Sequence, residues 1–210
     1  MAKPHHATLT LVSAAGTGWD ETGRLLGRSA VVATDDGLTE LHGRATEMAG
    51  EAAADLVLCG PEDSARASAS LLSEAFGCKL RALDSLANMD LGLWEGTLRE
   101  ELEGRCPSAY KTWREQPEII RPPEGESLGE ALDRASEGIR KAVEKLKAKA
   151  DQERPRVVVV VRSMLWAGLI ARLDEEARKG FWSLAGQTGS VRSFDIALSE
   201  LNPDPASVSA

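Results

Sequence analysis

Three short apolar runs mark the chain, and each is followed by a segment whose apolar residues recur every three to four positions. Thr8–Ser13 (Thr-Leu-Thr-Leu-Val-Ser) predicts a strand that ends in the glycine-containing turn Ala15-Gly16-Thr17-Gly18. Asp55–Leu58 predicts a second strand, stopped by Cys59-Gly60-Pro61. Val157–Val161 predicts a third, β-branched throughout, as a central strand of a parallel sheet buried on both faces would be. Ser64–Phe76 sets Ala, Leu and Phe on one helical face and stops at Gly77, and Leu165–Leu173 follows the third strand in the same way. Ser127–Ala150 reads as a long amphipathic helix, with Leu132, Ile139, Val143 and Leu146 on one side and Lys and Glu on the other. Gln116–Glu126, with its three prolines and several charges, predicts a surface loop.

Strands alternating with helices call for an α/β fold: three layers, α/β/α, around a mainly parallel central sheet. The expected organisation is a disordered N-terminus over residues 1–7, a single domain over 8–200 and a flexible tail over 201–210.

Composition narrows the function more than the fold. With 210 residues, 42% apolar and 28% charged, the chain is an ordinary globular domain with a sizeable core. Its 33 acidic against 25 basic side chains give a net charge of −8, which argues against nucleic acid or an anionic membrane surface as partner. The start has no apolar core of a secretory signal, and the longest apolar run, the five valines, falls well short of the ~20 residues of a membrane span. Cys59, Cys78 and Cys106 have the spacing of neither a disulfide framework nor a zinc site, so free thiols and a cytoplasmic location are expected. The histidines number three, His5, His6 and His42, and any histidine-dependent mechanism must use one of them.

In open parallel sheets, ligands bind in the crevice beyond the C-terminal strand ends. That directs attention to Ser13–Asp20, Cys59–Arg66 and Arg162–Met164. The segment Leu11-Val12-Ser13-Ala14-Ala15-Gly16-Thr17-Gly18-Trp19-Asp20, followed by Gly23-Arg24 and Gly27, resembles the opening of the histidine phosphatase superfamily, the phosphoglycerate-mutase-like proteins. That family reads Leu-Val-Arg-His-Gly-Glu-Thr-x-x-Asn and then Gly-Arg-x-x-Gly. Further matches follow in order. Pro61-x-x-x-Ala65 fits Ser-Ser-Pro-x-x-Arg-Ala, Gly92-Leu93-Trp94-Glu95-Gly96 is Gly-x-Trp-Glu-Gly, and Pro122-Pro123-Glu124-Gly125-Glu126-Ser127 fits Pro-Gly-Gly-Glu-Ser. The valines ending at Arg162-Ser163 fit the strand before Ser-His-Gly, and Thr188-Gly189-Ser190-Val191 resembles Asn-x-Ser-Val. The likeness spans residues 8–195; the family's Leu-Thr-x-x-Gly can be set either on Ala33–Gly37 or on Leu38-Thr39.

The resemblance implies covalent phosphoryl transfer: a histidine nitrogen attacks phosphorus, two arginines and a second histidine hold the phosphoryl oxygens, and a glutamate protonates the leaving oxygen. Laid on this chain, the nucleophile falls at Ala14, the arginines at Ser13 and Ser64, the acid at Asn88 and the second histidine at Ser163. All five are small or neutral, and the motif's asparagine is Asp20, which repels phosphate. The expectation is therefore a catalytically inactive member without cofactor or metal. It would bind a small anionic ligand or a protein partner through a vestigial pocket of Ser13, Ala14, Thr17, Asp20, Arg24, Ser64, Asn88, Arg162 and Ser163. The alternative is a divergent phosphatase or phosphomutase acting on a small phosphorylated metabolite by a changed route. A further alternative is a structural or oligomer-forming role such as a homodimer, since the family's relatives often dimerise.

Other residues carry less. His42, placed near the start of a helix, is expected at the surface, as are His5 and His6. Ser13, Ser64 and Ser163 lack the adjacent base that a nucleophilic serine needs. Arg162 and Arg66 are expected to meet solvent or nearby acids, although either could restore positive charge for an anion. Asp20, Asp35, Asp36 and Glu40 match no metal-ligand spacing and read as a solvated acidic loop. Trp166 and Trp182 read as core.

Overall fold

The computed structural model describes residues 6–150 and 154–201. Strand β1 (His6–Ser13) leads through a single helical turn, α1 (Gly18–Glu21), and a long loop to α2 (Asp35–Glu51). Then come β2 (Leu56–Cys59), α3 (Asp63–Phe76) and β3 (Lys79–Ala82). Two short 3-10 turns precede α4 (Arg99–Arg105) and α5 (Pro107–Glu115), and the chain continues through α6 (Leu128–Ala150), β4 (Arg156–Val161) and α7 (Ser163–Leu173). It closes with α8 (Glu175–Lys179), α9 (Phe181–Ala185) and β5 (Val191–Ala197).

The five strands form one sheet in the order β3-β2-β4-β1-β5. All neighbours are parallel except β5, which runs antiparallel to β1. The valines of β4 explain their own placement: Val157, Val159 and Val161 pack into the core under α6 and α7, while Val158 and Val160 enter the second core under α2 and α3. A strand covered on both faces can afford no polar alternate. The expected three-layer α/β/α architecture is the one observed. No helix among the described residues is long and apolar enough to cross a membrane.

Several boundaries shift. His6 and Ala7, expected outside the domain, begin β1, paired with Ala197 and Ile196, and Ala7 is fully buried. At the other end Leu201 is buried in a terminal 3-10 turn, so the first residue of the expected tail belongs to the core. Residues 1–5, with His5, and 202–210 lie outside the described residues. The second strand takes in Cys59 rather than Asp55, and the helix after β4 starts at Ser163. Asp35, Asp36 and Glu40, expected in a loop, sit on α2, whose N-cap is Thr34; its hydroxyl accepts from the Gly37 N–H. His42 stands mid-way along that helix, exposed, rather than near its start. Gly77 closes α3 in the left-handed conformation, as its position after Phe76 predicts. Trp166 is core, with its indole N–H donating to the Leu11 carbonyl at 3.0 Å. Trp182 is only partly buried; it packs edge-on against the buried Trp113 under the Arg114 guanidinium.

The 116–126 segment is a loop but not a free one. Pro122 is buried, and Glu126 is the hub of a charged bracket. Its Oε1 accepts from the Asp90 N–H at 2.9 Å, from Arg28 at 2.7 Å and from Arg134 at 2.6 Å. Gly92, at φ +49, makes room for this arrangement: a Cβ there would collide with the Pro123 carbonyl oxygen and come within 2.6 Å of the Gly125 nitrogen. Glu95 completes the bracket by accepting from the Gly27 N–H at 2.9 and 3.0 Å.

Candidate functional site

The ends of β1, β2 and β4 bring the three segments singled out by the sequence to one crevice. Ser13 and Val161 are register partners, so Ala14 and Arg162 follow side by side, and the Ala14 N–H donates to the Val161 carbonyl at 2.9 Å. Ser64 enters from the first turn of α3, just after β2. Asn88 comes from the irregular stretch before the 3-10 turn Gly92–Trp94.

The centre of the crevice is filled by the Arg162 side chain, which is 3% exposed. One terminal nitrogen of its guanidinium donates to both Asp20 carboxylate oxygens at 3.1 Å, and the other donates to the Ser64 hydroxyl at 3.1 Å. Asp20 is held in turn: its Oδ2 accepts from the N–H and the hydroxyl of Thr17, both at 2.8 Å, in a capping box that starts α1. From the sequence Arg162 is expected to meet solvent or nearby acids. It meets an acid 142 positions away and is withdrawn from water. The Arg162 charge is thus met from within the chain.

Most of the other positions that the motif order singles out are enclosed too. Ser13, Ala14, Ser64 and Asn88 are all buried, whereas Ser163, at the start of α7, is half-buried. The Ser13 hydroxyl donates to the Gln187 carbonyl at 2.8 Å, which ties β1 to the turn before β5. The Asn88 amide nitrogen donates to the Leu26 and Gly27 carbonyls at 2.9 and 3.2 Å. Of the nine residues expected to line a pocket, the hydrogen bonds join Thr17, Asp20, Arg162 and Ser64 directly. Arg24 is not drawn in: it is exposed, and its guanidinium donates to the Gly96 carbonyl at 2.8 Å. Arg66 is exposed on α3. His42 lies across α2 and α3 beside Leu38, Ala67 and Leu71, away from this crevice.

One residue of the crevice escaped sequence reasoning. Glu62, the N-cap residue of α3, is 6% exposed and accepts a hydrogen bond from the Asn88 backbone N–H. Burial pushes its carboxyl above the ordinary range, against the pull of that hydrogen bond and of the nearby Arg162 and Arg134. Three buried polar atoms around it have no hydrogen-bond partner: Glu62 Oε2, Asn88 Oδ1 and Arg162 Nε. Pro61-Glu62-Asp63 reads locally as an ordinary helix start, so no signal in the sequence separates this buried carboxylate from an exposed one. No group of three or more His, Cys, Asp or Glu side chains among the described residues is placed to hold a metal ion.

Residues 9–202 match the sequence profile of the histidine phosphatase superfamily (branch 1). The chain belongs to this superfamily. Phosphoserine phosphatase 1 of Hydrogenobacter thermophilus is 27% identical over 126 residues, 60% of this chain, and that alignment spans 59% of the relative's length. Among solved structures, the mycobacterial glucosyl-3-phosphoglycerate phosphatase superposes with a TM-score of 0.71 at 21% identity, covering 91% of this chain and 99% of the other. The alpha-ribazole phosphatase of Shigella flexneri gives a TM-score of 0.72 at 20% identity, covering 90% of each chain. At these identities the structural likeness speaks to the fold, and the fold of the superfamily is the fold observed here.

Proposed function

We propose that this chain is a catalytically inactive member of the histidine phosphatase superfamily that acts by binding a small anionic ligand or a protein. The observation that carries the reading is the Arg162–Asp20 pair, with its arginine buried, in the crevice where the motif positions converge. Around it stand a methyl group at Ala14, hydroxyls at Ser13, Ser64 and Ser163, and an amide at Asn88. None of these is a nucleophile paired with a base, and none can hand a labile proton to a leaving oxygen. Losing a single charge-stabilising donor costs ~10²–10³ in rate, and losing the nucleophile costs more. The side chains that shape the loops, Trp94, Glu95 and Glu126, retain their structural contacts while the crevice has none of the superfamily's charge pattern.

A second reading draws on Glu62 and on the relatives, which are named as phosphatases. A carboxyl whose burial raises its pKa is shifted in the direction a general acid requires, and Glu62 contacts Asn88, the residue at the acid's position. In this reading the chain is a phosphoric monoester hydrolase or phosphomutase acting on a small phosphorylated metabolite by a changed route. It still lacks a nucleophile, which places it second.

The test restores the family's site in one variant: Ser13→Arg, Ala14→His, Ser64→Arg, Asn88→Glu and Ser163→His. The structure adds Arg162→Ser and Asp20→Asn to vacate the crevice. The restored chain is expected to hydrolyse an aryl phosphate while the parent chain does not. A parent chain as active as the restored one would sink the reading.

A further inference from the structure

At the edge of the sheet, β3 and α6 face each other across an open cleft of about 380 Å³. Strand register pairs Lys79 with Leu56 and Arg81 with Leu58, so these side chains share one face of the sheet. On β2 that face is core, and Leu56 and Leu58 are buried. On β3 it carries two exposed cations in place of leucines. Across the cleft α6 presents Lys141 and Lys145, one helical turn apart, so that positive side chains line both walls.

The acids nearby offset this arrangement only in part, at Lys141. Glu137, the one carboxylate lining the cleft, accepts from Arg140 at 2.7 and 2.8 Å and pairs with Lys141 at 3.1 Å. Arg134 is committed to Glu126 and to the carbonyls of Ser85 and Asn88. Arg81 and Lys145 make no ion pair among the described residues. Like charges facing one small volume repel, and they do so here in a chain whose net charge is −8. The floor between them is apolar, formed by Leu83 and Ala142. It is kept close by Gly138, where a Cβ would collide with the Ser85 hydroxyl.

We propose that this cleft binds a compact organic dianion, with its charged end between Arg81, Lys141 and Lys145 and its apolar body on Leu83 and Ala142. Arg81 supplies a planar fork for two oxygens, and the two lysines supply point charges that close over them. The site is separate from the crevice at the ends of β1 and β4 and needs none of its residues.

The probe is phenyl phosphate, a dianion at pH 8 because its second ionisation lies near about pH 6; phenol is the uncharged control. Calorimetric titration of the full chain at low salt is expected to show one site for phenyl phosphate and none for phenol, with affinity falling as salt is added. The double variant Arg81→Gln/Lys145→Gln is expected to weaken binding at least tenfold with an unchanged melting temperature, since both side chains are exposed. Arg99→Gln, which removes an exposed cation that does not line the cleft, is expected to bind as the parent does. No binding to the parent chain, equal binding by the double variant, or loss of binding in Arg99→Gln would each overturn the proposal.

Discussion

Asn88 sits on the border between two charged clusters built in opposite ways. On one side its carbonyl accepts from Arg28 at 3.0 Å and from Arg134 at 2.8 Å, and both arginines go on to Glu126. Glu126 also holds the Asp90 N–H, so this bracket satisfies its own charges and fixes the loops that carry Trp94 and Pro122. On the other side, the Asn88 side-chain oxygen, Glu62 Oε2 and Arg162 Nε are buried without partners. The bracket holds backbone in place, so every charge in it is matched. In the crevice Asp20 answers the Arg162 charge, and the other buried polar groups are left unmet. Charge in the bracket is fully engaged in holding backbone, whereas in the crevice it is only partly engaged.

Substitutions that press on each side should separate the two regions. The largest effect belongs to the bracket. Gly92→Ala puts a Cβ into the Pro123 carbonyl at φ +49 and should cost more than about 3 kcal/mol, read as a lowered denaturation midpoint in urea. Glu126→Gln comes next, at about 2–3 kcal/mol, because it leaves Arg134 partly buried and uncompensated. In the crevice, Arg162→Met should cost only about 1 kcal/mol, since Asp20 keeps its Thr17 bonds and reaches water. If Arg162→Met proved as damaging as Glu126→Gln, the contrast between the regions would be wrong.

The pH dependence should also have opposite signs on the two sides. Burial raises the Glu126 carboxyl, but hydrogen bonds from Arg134 and the Asp90 N–H, with the charges of Arg134 and Arg28, outweigh it and hold the group below its ordinary value. Its contribution is therefore present above the unfolded value of about 4.3 and is lost as pH falls through the lower folded one. The Glu62 carboxyl is raised by burial, so its contribution is complete below that unfolded value and is lost as pH rises through the folded one. Glu62→Gln, neutral at every pH, should remove that alkaline-side loss and make the chain more stable than the parent at neutral pH. Glu126→Gln should remove the acid-side loss. Urea titrations from pH 3 to 8 would show both slopes, and slopes of the same sign would contradict the account.

Much of the fold was legible because buried strands and amphipathic helices impose a period on the sequence. The valines of β4 and the apolar stripe Leu132–Ile139–Val143 of α6 could hardly have been read otherwise. Strand β3, Lys-Leu-Arg-Ala, escaped because an exposed edge strand has charged residues on a face that elsewhere is core. Strand β5 escaped for a related reason: only Ile196 of its seven residues is buried. At the candidate site, motif order is what singles out Ser13, Ala14, Ser64, Asn88 and Ser163. The Arg162–Asp20 bond joins residues 142 apart and has no local signature. Glu62 is invisible for the converse reason, since nothing near it in sequence announces its burial.

The most direct measurement is turnover of an aryl phosphate by the parent chain from pH 4 to 9 with a metal chelator present. No hydrolysis above the blank is expected at any pH. Hydrolysis that persists with the chelator and disappears in Asp20→Ala or Ser163→Ala would contradict the proposed inactivity.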